Sequence, residues 1–241
     1  MKEEKYPGKE LELFTEAHNW KSYFAKFLHP FLKGHILEAG AGIGGTTSFL
    51  CDGSQASWTC LEPDPEFANE IRTKIQSGTL PQICRVLTGT IADTPQGFVF
   101  DCILYIDVIE HIEDDRAEIR RAWSNLRPGG HLLILVPAHQ FLFSSFDKSI
   151  GHFRRYSRKS LAIAVGSDLK YKRLIYLDSA GFAASAANRF IMKKSIPGIN
   201  EIRFWDRALV PASQILDPLF AWSFGKSVLG IWEKEINETK Q

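Results

Sequence analysis

An apolar run that ends in a glycine-rich turn, Ile36–Gly45, constrains this chain more than any other stretch. The apolar run leads to the acid Glu38, four glycines follow within Gly40–Gly45, and the residues at about 44–50 suit a helix. Glycines permit positive φ angles and let a ligand approach the backbone closely. The first turn of a helix offers N–H groups that have no partner within the helix. The stretch therefore predicts a strand, a tight ligand-binding turn and a helix N-terminus.

Two cofactors fit this turn. The spacing of Gly40, Gly42 and Gly45 matches the G-x-G-x-x-G pattern of dinucleotide-binding loops, which alone is weak evidence. Glu38 and the additional Gly44 extend the pattern to E-x-G-x-G-x-G. This longer pattern resembles motif I of the class I S-adenosylmethionine (SAM)-dependent methyltransferases, and it favours SAM over NAD.

A second acid stands at the end of the next predicted strand. Glu62 closes the run at 57–61 and lies 22 residues after Gly40. At this place a doubly wound fold carries an acid that accepts hydrogen bonds from ribose hydroxyl groups. Glu62 and the adjacent Pro63 are therefore expected to bind a nucleoside, which both SAM and NAD contain.

Two later blocks of sequence distinguish these cofactors. The apolar strand at 100–106 is followed by Asp107–Ile112, which reads D-V-I-E-H-I, and a helix then leads to Leu126–Gly130, L-R-P-G-G. Together with the apolar run at 131–136, this series closely resembles the motifs of small-molecule class I methyltransferases. The resemblance spans roughly residues 32–136, and a nicotinamide-dependent enzyme has no reason to show the series.

The resemblance implies an α/β fold, a Rossmann-like doubly wound sheet of seven strands that is mostly parallel with an antiparallel last strand. Apolar runs predict these strands at about 35–39, 57–61, 82–87, 100–106, 131–136, 171–177 and 227–233. Helical patterns predict a helix at 65–76 and another that opens with the capping box Asp115-x-x-Glu118. Pro30 should end an N-terminal helix that begins near residue 11.

One methyltransferase domain is expected to cover residues 1–241. It would comprise an N-terminal helical cap at 11–32, a cofactor-binding core at 33–136, a substrate loop at 137–158 and a helical insert at 178–226. The insert contains apolar helical runs at about 180–192, 201–209 and 214–224. One interpretation of these runs is a second core. The alternatives are a lid over an apolar substrate, a dimer surface or a contact with a membrane surface.

By resemblance, Glu38 and the glycine loop would hold the methionine part of SAM, and Thr90-Ile91 would contact adenine. Many relatives have an acid at the position of Thr90, so this chain departs from the pattern there. Asp107 ends strand four and would lie near the methionine or methyl end. The residues expected to bind SAM, or its product S-adenosylhomocysteine, are Glu38, Gly40, Ala41, Gly42, Gly44, Glu62, Pro63, Thr90, Ile91 and Asp107.

His111 is the first candidate for a general base. It follows strand four at the carboxyl edge of the sheet, where α/β sites open, and a base helps when the acceptor must lose a proton. Glu110 would orient His111, and Tyr23 would position the acceptor from the N-terminal helix. The alternative for His111 is a structural hydrogen bond at a helix start.

A later loop supplies candidate substrate contacts. Pro137-Ala138 and the segment Gly151–Leu161, G-H-F-R-R-Y-S-R-K-S-L, resemble a methyltransferase subgroup in which this loop borders the active site. His152, Arg155 and Tyr156 are therefore expected to contact the substrate. Ser157 or Ser160 would cap the helix that follows.

Composition and spacing argue against several other classes of partner. Lys and Arg number 29 against 28 Asp and Glu, so a net charge of +1 gives no electrostatic basis for binding nucleic acid. No uncharged apolar run approaches the ~18 residues of a membrane span, and the charged residues after Met1 favour the expectation of no secretory signal. Four scattered cysteines predict reduced thiols in the cytoplasm. Histidines and acids show no pattern such as H-x-x-x-H, so no metal is expected.

The predicted function is transfer of a methyl group from SAM to a carbon or oxygen of a small-molecule acceptor, aromatic or heteroaromatic. An acceptor linked to a lipid or a sugar fits the apolar insert almost as well. Alternatives of another class are a non-catalytic SAM-binding partner subunit and an NAD(P) oxidoreductase. A homodimer could form through the insert.

Overall fold

In the computed structural model, which describes residues 14–94, 97, 99–188 and 198–236, seven strands form one sheet. Their order is β3-β2-β1-β4-β5-β7-β6, and β7 runs antiparallel to both of its neighbours. The strands are His35–Ala39 (β1), Ser57–Glu62 (β2), Cys84–Thr88 (β3), Phe100–Ile106 (β4), Leu126–Pro137 (β5), Tyr171–Leu177 (β6) and Ser227–Glu233 (β7). The predicted Rossmann-like sheet with an antiparallel last strand is confirmed.

Helices cover both faces of this sheet. They are His18–Leu28 (α1), Thr47–Leu50 (α2), Pro65–Gln76 (α3), Asp115–Ser124 (α4), Ser145–Ser149 (α5), Arg158–Val165 (α6), Ser179–Ala187 (α7), Ile199–Phe204 (α8) and Val210–Leu219 (α9). Residues Trp205–Leu209 form a π-helical segment between α8 and α9.

Each face of the sheet packs against its own apolar core. On one face, Ile36 of β1 packs with Trp20 and Phe24 of α1 and with Trp205 of the insert. On the other face, β4 and β5 pack against α4 and α6, through residues that include Ile103, Leu132, Ile119 and Leu161. Residues of a strand alternate between the two cores, because successive side chains of a strand point to opposite faces of the sheet.

The L-R-P-G-G block does not end a helix as predicted, because it already belongs to β5. Leu126 pairs with Phe100, and a bulge separates this pair from the regular register that begins at His131. A Cβ atom on Gly130 would lie 2.9 Å from the carbonyl oxygen of Arg127. The block thus needs glycine for a close backbone approach at the entry to the strand.

The predicted capping box of α4 is also wrong. The cap is Asp114, whose Oδ1 accepts a hydrogen bond from the N–H of Ala117. Asp115 is the first helical residue, and its side chain serves a tertiary contact described below. Ser157, in contrast, caps α6 and is one of the two residues predicted for this role.

The N-terminal helix ends at Leu28, and the 3₁₀ turn His29–Phe31, which contains Pro30, follows it, in agreement with the prediction. Its own N-cap, Ala17, makes no side-chain hydrogen bond. Asp206 of the π-helical segment replaces the cap, because it accepts hydrogen bonds from the N–H groups of Asn19 (3.1 Å) and Trp20 (2.8 Å). Residues 11–13 of the predicted cap lie outside the described residues.

The insert differs from the sequence prediction at its boundaries. Outside the insert, helix α2 is shorter than predicted, because it begins at Thr47 rather than near residue 44. The third run of the insert begins at Val210 rather than near residue 214, since Pro211 is accommodated in the first turn of α9. The end of its first run, up to residue 192, lies outside the described residues. Among the helices that the structure describes, none is both long and apolar enough to cross a membrane.

Candidate functional site

A cavity of about 1860 Å³ opens at the carboxyl ends of β1, β2 and β4. Gly40, Glu62 and Asp107, which follow or end these three strands, all line it. Drug-sized ligands occupy cavities of roughly 300–1,000 Å³. The cavity therefore has room for a nucleoside cofactor together with a second molecule.

The glycine turn is held close to β2. The N–H groups of Gly40 and Ala41 donate to the carbonyl oxygen of Leu61, at 2.8 and 3.1 Å. Gly40 has φ +65°, and a Cβ there would lie 2.6 Å from a methyl carbon of Val108. Only glycine suits this position, and Gly40, Ala41 and Gly42 all line the cavity.

The Glu62 carboxylate organises this end of the cavity. Its Oε2 accepts from the N–H of Gly42 (2.7 Å), and its Oε1 accepts from the N–H of Asp64 (2.9 Å). Glu62 is buried, and burial raises the pKa of its carboxyl group, although the two backbone N–H groups oppose the shift. Glu62 lines the cavity next to Pro63, with lone pairs left to accept from a ligand.

Thr90 and Ile91 line the same half of the cavity. Thr90 stands where many relatives have an acid, and the nearest acid in this turn is Asp93, three residues later. Asp93 Oδ2 accepts hydrogen bonds from both the N–H and the hydroxyl of Thr90. Asp93 thus shapes the turn that carries Thr90 and Ile91 rather than lining the cavity.

Asp107 adopts a strained backbone at the end of β4, with φ +53°. Its N–H donates to the carbonyl oxygen of Leu135, which holds this conformation. The side chain of Asp107 is exposed to the cavity. Its depth in the protein nevertheless raises the pKa of the carboxyl group, and the nearby charges of His152 and Lys226 only partly offset this rise. Strained residues of this kind are found mainly at functional sites.

The turn Ile109–His111 carries two titratable groups into the cavity. Glu110 is fully buried, and neither of its carboxylate oxygens has a hydrogen-bond partner. The pKa of Glu110 is raised well above its usual value, by burial and by the neighbouring Asp107. Burial and His152 lower the pKa of His111 to about 3, so the imidazole is neutral at pH 7.

The loop after β5 places further polar side chains next to Glu110 and His111. Arg155 binds the buried Asp147 through Nε and Nη2, at 2.8 and 3.0 Å, and His152 Nδ1 lies 3.0 Å from Asp147 Oδ1. The other ring nitrogen of His152 lies 3.8 Å from Glu110 Oε1. These contacts bring His152 and Arg155 to the cavity wall.

Comparisons with known proteins agree with this fold. Residues 37–132 match the model of a family described as a methyltransferase domain. A trans-aconitate 2-methyltransferase from Deinococcus radiodurans is 27% identical over 193 residues, which are 76% of this chain and 72% of that protein. A solved structure of geranyl diphosphate methyltransferase in complex with SAM has the same fold, with a TM-score of 0.64 and 14% identity, over 98% of this chain and 93% of that one.

Residues 37–132 belong to a methyltransferase domain family, and the chain has the fold of solved SAM-dependent methyltransferases. A hybrid PKS-NRPS synthetase from Talaromyces variabilis is 32% identical over 111 residues, which are 44% of this chain but 3% of the synthetase. The predicted family is confirmed, while the G-H-F-R-R-Y subgroup stays a prediction.

Two cofactor predictions for this methyltransferase need correction. Glu38 does not line the cavity, because its Oε2 accepts from Thr47 Oγ1 (2.7 Å) and Trp58 Nε1 (2.8 Å) behind the glycine turn. Gly44 has a positive φ of +77° but also lies away from the cavity wall. Both residues shape the loop rather than face the cofactor space.

Three acceptor-side predictions need correction as well. The Tyr23 hydroxyl donates to Asp217 Oδ2 (2.8 Å), and the Tyr156 hydroxyl donates to Asp115 Oδ2 (2.6 Å), so neither tyrosine lines the cavity. Glu110 makes no hydrogen bond to His111 and does not orient its ring. Both tyrosines anchor elements to their neighbours instead.

The sequence reasoning missed Asp147 and two lysines of this methyltransferase. Asp147 could have been found from the capping pattern Ser144-x-x-Asp147, whose hydrogen bonds are present. Lys21 and Lys226 line the cavity, and burial lowers the pKa of both, that of Lys21 to about 8. No local pattern distinguishes these lysines from solvated ones.

Proposed function

We propose that this methyltransferase transfers the methyl group of SAM to a carbon or oxygen atom of a small-molecule acceptor, aromatic or heteroaromatic. The observation that carries the proposal is one cavity that joins the glycine turn and Glu62 to the cluster of Glu110, His111 and His152. The first end suits the cofactor, and the second end offers titratable groups to an acceptor.

At the cofactor end, Glu62 would accept hydrogen bonds from the ribose hydroxyl groups, and Gly40–Gly42 would lie against the methionine part. Thr90 and Ile91 would border the adenine. Asp107 would face the methionine or methyl end, where its carboxylate suits a cationic group. These assignments are supported by the order in which the residues line the ends of adjacent strands.

The transfer itself requires alignment more than covalent help from the protein. A lone pair or carbanion of the acceptor attacks the methyl carbon, that carbon's bond to the sulfonium sulfur breaks, and S-adenosylhomocysteine leaves. Holding the two reactants in line and excluding water lowers the barrier. Where the acceptor must lose a proton, the neutral imidazole of His111 would accept it.

Apolar residues of the insert support the choice of acceptor. Phe204, Trp205 and Leu209 line the cavity together with Phe146 of α5. An aromatic acceptor would stack among such side chains. The same wall favours a second candidate, an acceptor that carries a lipid chain.

The four cysteines are buried free thiols. Free thiols are typical of a reducing compartment, which supports the proposed cytoplasmic location.

Titration calorimetry tests the cofactor assignment. We expect SAM and S-adenosylhomocysteine to bind and NADH not to bind. Micromolar affinity for NADH without a response to S-adenosylhomocysteine would contradict the proposal. A structure with S-adenosylhomocysteine and a candidate acceptor would then separate an enzyme from a non-catalytic SAM-binding subunit, since only the enzyme needs space beyond the sulfur aligned with His111.

A further inference from the structure

Glu110 is a buried acid without a partner that explains it. Its side chain is 0% exposed and faces the cavity, and neither oxygen makes a hydrogen bond. A buried carboxylate without compensation is costly, and Asp107 adds a like charge nearby. Such a group calls for an explanation, and a bound ion is one explanation that the neighbouring side chains allow.

The two nearest candidates for that contact are imidazoles. One nitrogen of His111, one nitrogen of His152 and one oxygen of Glu110 all lie within 4.8 Å of one another. The two rings stand edge to face, with centroids 4.4 Å apart at 86°. The distance of 3.8 Å between His152 Nε2 and Glu110 Oε1 is too long for a hydrogen bond.

Asp147 prepares His152 for this contact. It is fully buried, and its Oδ1 accepts from Nδ1 of His152 while Arg155 holds it as a carboxylate. Donation from Nδ1 leaves Nε2 of His152 as the nitrogen with a lone pair, and Nε2 is the atom that faces Glu110. A carboxylate behind a histidine in this way is the usual outer partner of a metal-binding imidazole.

We propose that Glu110, His111 and His152 bind a divalent transition-metal ion, with Zn²⁺ as the best match, at the acceptor end of the cavity. Two imidazoles and one carboxylate suit Zn²⁺, and three protein ligands leave a coordination position open toward the cavity. Ligand atoms around tetrahedral Zn²⁺ lie about 3.3 Å apart, so small side-chain rotations would close the site.

This inference deepens the proposed function and rests on it for the role of the ion. The open position faces the space proposed for the acceptor, so the ion would bind an acceptor that carries an oxygen, as a hydroxyl or carboxylate. With the ion bound, His111 would be a ligand rather than a base, and the ion would ease loss of the acceptor's proton by lowering the pKa of the bound oxygen. This site differs from the expectation that no metal binds. Sequence spacing did not indicate the site because His152 lies 41 residues after His111.

The test measures metal binding rather than turnover. Protein treated with a chelator and then dialysed is titrated with Zn²⁺ in the presence of a competing chelator, and Mn²⁺ and Mg²⁺ are compared. We expect one Zn²⁺ per chain, weaker Mn²⁺ and no measurable Mg²⁺, which prefers oxygen ligands. Glu110→Gln and His111→Ala should each weaken Zn²⁺ binding by at least about 100-fold, and Asp147→Asn by about 10–100-fold.

Matched controls keep the outcomes distinct. His29→Ala removes an exposed histidine outside the cavity and should leave Zn²⁺ affinity unchanged. S-adenosylhomocysteine binding by Glu110→Gln, within a few-fold of the wild type, shows that the variant is folded. No Zn²⁺ binding by a wild type that binds S-adenosylhomocysteine overturns the metal site alone, as does equal Zn²⁺ binding by Glu110→Gln. Zn²⁺ binding with no response to S-adenosylhomocysteine overturns the proposed function instead.

Discussion

At the scale of single residues, Glu62 connects the glycine turn to the start of α3 through the N–H groups of Gly42 and Asp64. Its carboxylate faces the cavity at the same time. Glu62 therefore both shapes the cofactor end and would contact the ribose there. Removing the side chain should affect cofactor affinity through both routes.

We predict that Glu62→Ala weakens binding of S-adenosylhomocysteine by roughly 1–3 kcal/mol, through loss of charge-assisted hydrogen bonds. Calorimetry on the variant and the wild type measures the difference. Glu70→Ala, which removes a half-exposed acid of α3, serves as the control and should bind as the wild type does. Unchanged affinity in a folded Glu62→Ala protein would remove Glu62 from the site.

Glu38 titrates in the folded protein near neutral pH. Burial raises the pKa of Glu38 to about 7 from 4.5, although Thr47 and Trp58 donate hydrogen bonds to its carboxylate. Between pH 4.5 and about pH 7, the folded state therefore keeps a proton on Glu38 that the unfolded state has already released. This contribution to stability is fully present below pH 4.5 and is lost as pH rises through about 7.

The corresponding prediction compares the wild type with Glu38→Gln, which keeps an acceptor for Thr47 and Trp58 but does not titrate. Between pH 5 and pH 8 the wild type should lose about 2.5 kcal/mol of unfolding free energy relative to the variant. Urea denaturation at a series of pH values measures it. Parallel pH profiles for the two proteins would contradict the raised pKa.

At the scale of elements, two aspartates of the insert dock the N-terminal helix. Asp206 caps α1 through Asn19 and Trp20, and Asp217 accepts from the Tyr23 hydroxyl. Asp217 also accepts from the N–H groups at the start of α7, those of Asp178 and Ser179. The insert is therefore continuous with the core beneath α1, in agreement with the second-core interpretation.

We predict that Asp206→Ala destabilises the protein by about 2–3 kcal/mol, because two N–H groups of α1 lose a charged acceptor. Hydrogen exchange should show the loss of protection first in α1. Glu16→Ala is the matched control, since the Glu16–Arg203 pair joins the same two parts at the surface, with both side chains nearly half exposed. An exposed pair contributes little, so this variant should change stability by less than about 1 kcal/mol.

If Asp206→Ala and Glu16→Ala had equally small effects on stability, the insert would be docked by its apolar contacts alone. The capping role of Asp206 would then be wrong, although the position of the insert would stand.

At the scale of the whole molecule, the insert presents apolar side chains to solvent beside the cavity. Ile215 and Leu219 of α9 are 69% and 74% exposed, and Phe204 and Phe220 are also exposed. Ile215 and Leu219 are four residues apart and share one face of the helix. Homodimerisation through this face stays a prediction that the exposure supports.

Sedimentation of the wild type and of Leu219→Asp tests the dimer. We expect the wild type to associate and the variant to shift toward the monomer, because a charge in the interface is costly. Ile163→Asp, a change at an exposed apolar residue of α6 outside the insert, should associate as the wild type does. A wild type that sediments as a monomer would contradict the prediction.

The sequence by itself determined the sheet and the position of the cofactor turn. Strands β1, β4, β6 and β7 and helix α3 have the predicted bounds, because apolar periodicity and flanking Pro or Gly residues are local properties of the chain. The glycine turn and Glu62 were found in the same way. Their spacing follows from the geometry of adjacent parallel strands.

Only the tertiary structure decided which polar side chains face the cavity. Glu38, Tyr23 and Tyr156 turn to partners that lie 9 to 194 residues away in the chain. The cluster of Glu110, His111 and His152 likewise joins a turn and a loop that are distant in sequence. A buried hydrogen-bonding group must find its partner wherever the packed elements place one, and local spacing carries no information about that place.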